Sequence, residues 1–188
     1  MLSVRNRQAY LKALGFYDGK VDGDAGPKTK AAYAALQDKY FPKDHRDGKY
    51  GTNTDKLLQN AYRVFMYCKN FRLEEFKCQC GGKYCTGYPA ILNIQLLTNV
   101  QLLRDKHGST VITSPLRCSK HNSMVGGSLI SRHKSGKALD IKGAYTKTEN
   151  ERKSVMEYWM SLPNARYTYC NIGGNYPNMG NSVHVDVK

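Results

Sequence analysis

The chain changes its hydrophobic period once. Up to Gly108 its apolar residues recur at three- and four-residue intervals, whereas beyond it "STVITS", "ALDIK", "ARYTYC" and "SVHVDVK" are short β-branched or alternating runs, broken by one helical stretch. A pattern of period 3.6 does not settle as a strand, nor one of period two as a helix, so the switch predicts an α+β chain with a mostly antiparallel sheet.

Four helices are predicted ahead of the switch, and the first three are short. Val4, Leu11 and Leu14 share one face before Gly15; Pro27 opens a second helix through Ala31, Ala32 and Leu36 to about Tyr40; Leu57, Leu58, Ala61, Tyr62 and Phe65 carry a third. The loops "VDGDAGPKT" and "RDGKYGTNT" echo each other, each a glycine turn leading into a capped helix. Together they predict a small three-helix domain over residues 1–67, with a boundary at "YCKNFR". The second domain, 71–188, opens on a long buried helix with Ile91, Leu92, Ile94, Leu96, Val100 and Leu103 on a wide apolar face, stopped at Gly108. A later helix, "TENERKSVMEYWMSLP", turns Val155, Met156, Trp159 and Leu162 inward.

The stretch "YLKALGFYDGKVDGDAGPKTKAAYAALQ" resembles the three-helix type of peptidoglycan-binding domain. That resemblance implies wall contacts around Asp18 to Thr29.

Twenty-nine Lys and Arg against fifteen Asp and Glu leave a net charge of +14, which suits a polyanionic partner such as nucleic acid or an anionic cell wall. The basic residues are spread along the chain without a helix-turn-helix, finger or aromatic RNA-binding pattern, so specific nucleic-acid readout is not expected. No secretory signal pattern or membrane span is read, and the six cysteines are therefore expected as thiols. Cys78, Cys80 and Cys85 in "CQCGGKYC" are close enough to share a metal, but no fourth partner is evident.

Histidine is the common neutral metal ligand, and the chain has five. His45, in a loop, and His107, before the helix-stopping glycine, read as solvated surface. In "VHVDV" period-two geometry sends His184 and Asp186 to one face and the valines to the other. His133 and Asp140 stand seven residues apart around Gly136, a gap that suits a loop ligand followed by a strand ligand.

The stretch "ITSPLRCSKHNSMVGGSLISRHKSGKALDI", with the terminal "VHVDVK", resembles the zinc D-alanyl-D-alanine carboxypeptidase family, whose fold is shared by phage endolysin peptidases and the hedgehog signalling domain. The resemblance implies that His133, Asp140 and His184 bind Zn2+ and leave a position for water. Asp186 is then the candidate general base, or else it holds the free N–H of a ligand; Asn181, where some branches carry an acid, cannot be a base. Arg117 matches the arginine that holds the substrate's carboxylate, with a plain surface arginine as the other reading. His121 and Asn122 are expected to shape their loop, and the Tyr176 hydroxyl is an oxyanion candidate.

These features together imply a zinc metallopeptidase that cuts a stem-peptide or cross-link amide of bacterial peptidoglycan, of the phage endolysin kind. It is expected as a monomer, made in the host cytoplasm and acting on the wall, with anionic wall polymers as further partners and no membrane. The alternatives are a D-alanyl-D-alanine carboxypeptidase and a catalytically silent wall-binding protein.

Overall fold

A computed structural model describes residues 1–188. Helices α1 (Val4–Ala13), α2 (Pro27–Tyr40) and α3 (Thr52–Tyr67) come first; α4 (Ile94–His107), β1 (Thr110–Ser114), α5 (Ser119–Met124), β2 (Ala138–Gly143), α6 (Glu149–Ser161), β3 (Ala165–Cys170) and β4 (Val183–Val187) follow. The sheet runs β1-β2-β4-β3 with every pair antiparallel. No helix is long and apolar enough to cross a membrane. The short α5 is an addition to the predicted elements.

The echo between the two N-terminal loops is an echo of hydrogen bonds, centred on a glutamine from the helix before each loop. Gln8 Nε2 donates to Asp22 Oδ1 (2.8 Å), the Asp24 carbonyl (2.9 Å) and Thr29 Oγ1 (3.1 Å), and the Gly23 N–H donates to Gln8 Oε1. Gln37 Nε2 repeats this with Asp47 Oδ1 (2.9 Å), the Lys49 carbonyl (2.9 Å) and Thr54 Oγ1 (2.8 Å), and its Oε1 accepts from the Gly48 N–H at 2.7 Å. Both amides are almost wholly buried, so they do for the irregular loops what a ladder does for a strand. Gln37→Ala strands those loop donors and acceptors together. It is expected to cost about 2–3 kcal/mol, since each unsatisfied buried group costs about 1–3 kcal/mol and some regain water; chemical denaturation of the full chain measures it.

Asp55 closes the same layer. Its Oδ1 accepts from the Leu2 N–H and the Tyr50 hydroxyl, both at 2.7 Å, and its Oδ2 from Gln59 at 2.8 Å. Burial alone would raise this carboxyl, but the three donors outweigh it and hold it below the usual carboxylate range. A depressed folded value contributes stability that is complete above the ordinary carboxylate pKa of about 4 and is lost as pH falls through the folded value. Asp55→Asn is therefore expected to flatten the loss of stability in acid below about pH 4, in urea titrations run at several pH values.

One core serves both halves: thirty buried residues, from Leu11 through Leu58 and Leu97 to Val187, form a single cluster rather than two. At the seam Asn60, fully buried, donates to the Ala90 carbonyl (2.9 Å) and accepts from the Leu92 N–H (2.7 Å). Lys56 donates to the Pro89 carbonyl at 2.8 Å and Arg63 to the Leu92 carbonyl at 2.6 Å. Two predicted core positions and one predicted surface position differ. The third helix turns Phe65 outward, 58% exposed, and α4 starts only after the Asn93 cap, which leaves Ile94 on its outer side at 40%. His107 is half-buried rather than solvated, with its ring between those of Tyr145 and Tyr158.

Candidate metal centre

The register of the sheet assembles the site. Asp140 on β2 lies opposite His184 on β4, and His184 lies opposite Tyr169 on β3, so three neighbouring strands set these side chains in one row. Period two sends the alternating Leu139, Ile141, Val183 and Val185 to the other face, where they are fully buried in the core with α4 and α6. All five residues of β4 are buried, so the polar face of "VHVDV" forms the floor of a cleft and not an exposed outer surface.

His133 arrives from outside the sheet on the turn Arg132–Ser135, which ends at Gly136 in the left-handed region (φ 71°). A Cβ at Gly136 would meet the Ile91 carbonyl oxygen at 2.3 Å, so only glycine lets the turn lie against that segment. The Gly136 carbonyl accepts from the Asn93 N–H at 2.8 Å. Segment 89–93 is thus held by α3 on one side and supports the His133 turn on the other.

Three donor atoms converge. His184 Nδ1 is 2.7 Å and His133 Nε2 3.3 Å from Asp140 Oδ1, and the two ring nitrogens are 3.4 Å apart. Ligands about 2.0–2.1 Å from a tetrahedral Zn2+ are about 3.3 Å from one another, so two histidines and one carboxylate at these separations fit a three-ligand zinc site. The outer atoms of His133 and Asp140 are also held by hydrogen bonds, and that of His184 faces a carboxylate at longer range. His133 Nδ1 donates to the Pro115 carbonyl at 2.9 Å, which leaves Nε2 as the lone-pair nitrogen; Arg117 donates to Asp140 Oδ2 at 2.9 Å; and His184 Nε2 faces Asp186 Oδ2 at 3.8 Å. Burial alone would raise the Asp140 carboxyl, but hydrogen bonds and charge from His133 and His184 hold it well below the usual carboxylate range. For His184 burial pulls the other way, and Asp140 and Asp186 more than offset it, raising the imidazole above its ordinary value.

The other candidate residues fall in different places. Asp186, 2% exposed, lies behind His184, on the side of the ring nitrogen that does not face the other donors. Its Oδ2 also meets Arg166 at 3.0 Å and Arg132 at 3.6 Å, while its Oδ1 has no partner. Arg117 spends Nε on Ser114 Oγ (2.8 Å) and one Nη on Asp140. Tyr176 is half exposed, and its ring packs on Tyr169 instead of entering the cleft. Asn122, buried, donates to the Gly127 and Ser128 carbonyls and so shapes the loop after α5. His121 stands on α5 outside the donor triangle, and Asn181 accepts from Arg152.

Tyr169 is the site residue that sequence reading passed over: its ring stacks on His184 with centroids 4.6 Å apart and planes at 24°. Its position in "ARYTYC" gives the face, but the partner needs the strand register. The donors open onto a cleft of about 810 Å³, walled by Tyr167 and Tyr169 on one side and the Val125–Ser131 loop on another.

Comparison with known proteins adds two findings. A family model described as Peptidase M15 matches residues 69–186, and a peptidoglycan binding domain model matches residues 2–58. Among curated proteins none matches the chain.

Proposed function

The chain belongs to the peptidase M15 family, with a peptidoglycan-binding domain ahead of the peptidase, and on that premise we propose a zinc-dependent endopeptidase that cuts a stem-peptide or cross-link amide of the bacterial wall. The observation that carries the reading is the buried donor triangle of His133, Asp140 and His184 at the floor of a cleft. These residues are assigned as the zinc ligands. A Zn2+ ion with three such ligands and an open position lowers the pKa of water to about 7 and draws electron density from a carbonyl oxygen, which is what amide hydrolysis at neutral pH requires.

The protein's own part is to hold and orient. Arg117 fixes one oxygen of Asp140 so that the other faces the two imidazoles, and Tyr169 fixes the plane of the His184 ring. Asp186 is assigned to holding the Nε2 proton of His184 rather than to accepting a proton from water. Two arginines already draw on its charge, and the imidazole stands between it and the donor triangle. Asp186→Asn separates the two roles. A positioning residue gives a variant that binds zinc about 10–100-fold more weakly and recovers activity at saturating zinc; a general base gives full zinc occupancy with turnover down about 10²–10⁴-fold.

A cleft of about 810 Å³ has room for several residues of a peptide, which favours internal cleavage over the trimming of a terminal D-alanine. The net charge of +14 suits adhesion to anionic wall polymers, and the two-part plan suits a lytic enzyme of the phage endolysin kind. Mass spectrometry of peptidoglycan digested by the zinc-loaded protein tests the reading. New internal amine and carboxyl termini are expected, release of free D-alanine alone would mark a carboxypeptidase, and an unchanged wall would overturn the assignment as a peptidase.

A further inference from the structure

We propose that Cys78, Cys80, Cys85 and Cys118 form a second, purely structural zinc site, separate from the donor triangle in the cleft. The sequence offered three cysteines without a fourth; the fold brings in Cys118, the N-cap of α5, from beyond β1.

Four observations carry the assignment. The four sulfurs all lie within 4.8 Å of one another, and Cys80 and Cys85 are 3.5 Å apart, close to the edge of about 3.8 Å that a tetrahedron with Zn–S bonds of about 2.3 Å requires. All four are free thiols, with Cys78 and Cys118 buried. Two of the sulfurs accept backbone N–H groups: Cys118 N–H donates to Cys78 Sγ (3.3 Å) and His121 N–H to Cys118 Sγ (3.4 Å). Those N–H groups give the two sulfurs the outer hydrogen bonds that metal ligands take. Finally, the chain between Phe76 and Ile94 contains neither helix nor strand, yet it buries Cys78, Thr86, Tyr88 and Leu92. An irregular segment of that length inside a compact fold needs a fastening, and a tetrathiolate ion is one.

The fastening point gives the site its use. Cys118 ends the stretch in which the Pro115 carbonyl fixes His133 and Arg117 fixes Asp140. Joining Cys118 to the 78–85 turn locks that stretch against the loop, and so locks the outer hydrogen bonds of two ligands in the cleft. With four thiolates the ion has no open position and performs no chemistry on substrate.

Zinc content of the full-length protein decides the matter independently of any activity. Wild type is expected to hold about two equivalents per chain, His133→Ala/His184→Ala about one, and Cys80→Ser/Cys85→Ser about one. Cobalt loaded into the histidine double variant should show the intense sulfur-to-cobalt charge-transfer bands of a tetrathiolate site. The double variant leaves every cysteine intact, so the result stands even if the serine variant fails to fold. A histidine double variant that retains no zinc, or a fresh protein with Cys80 and Cys85 joined as a disulfide, would overturn the proposal, whereas absent wall cleavage would bear only on the cleft.

Discussion

His133→Ala is expected to clear purified walls at least about a thousandfold more slowly than wild type, a loss of about 4 kcal/mol of transition-state stabilisation. The size follows from the geometry. His133 contributes one of three donor atoms, its Nδ1 is already committed to the Pro115 carbonyl, and no histidine beyond His133 and His184 belongs to the donor set. His184→Ala and Asp140→Asn should fall as far, because a three-ligand site reduced to two holds its ion weakly and leaves the rest of the cleft without its electrophile. A chelator should abolish wild-type clearing and added zinc should restore it, while neither treatment changes the variants. Turbidity of a wall suspension, read beside zinc content, measures the effect. Clearing at the wild-type rate by His133→Ala would sink the assignment of the centre.

Trp159→Ala is expected to be the most damaging single change to the fold, at about 3–5 kcal/mol. Trp159 is fully buried on α6 beneath the sheet, and its indole N–H donates to the Asp186 carbonyl at 3.0 Å, so the substitution opens a cavity and frees a buried acceptor under β4. For a chain of this length that corresponds to a fall in melting temperature of about 6–20 °C. Trp159→Phe keeps most of the volume and loses the N–H, and should cost about 1–3 kcal/mol. Calorimetry of the two variants separates the packing contribution from the hydrogen bond.

The elements were legible because each carries its own period. "VHVDV" declares a strand with a polar face and "LISRHKSGKALDI" a turn that feeds a strand; the choice of His133, Asp140 and His184 within them came from the resemblance to the zinc carboxypeptidase family. What escaped reading depends on register or on distant partners. Tyr169 meets His184 only because β3 pairs with β4 at that position, and Arg132, from the His133 turn, and Arg166, from β3, meet at Asp186. Gln8 looks like any polar residue of an amphipathic helix; its burial follows from the loop that folds over it. Phe65 and Ile94 fit their helical patterns and are nonetheless exposed, since a period gives a direction without saying whether anything is packed there.

The seam at Asn60 changes what the N-terminal helices mean for the enzyme. Binding modules on flexible linkers act as leashes that raise local concentration and leave the catalytic unit free to search. Here Lys56, Asn60 and Arg63 grip the very segment on which the His133 turn rests, and hydrophobic packing runs through the join without a break. The N-terminal helices and the donor triangle are therefore parts of one packed body, and the loops between those helices stand at one set offset from the triangle. Exchanging the front module for a relative's would have to reproduce those three side chains, and removing it would uncover apolar interior instead of merely loosening adhesion.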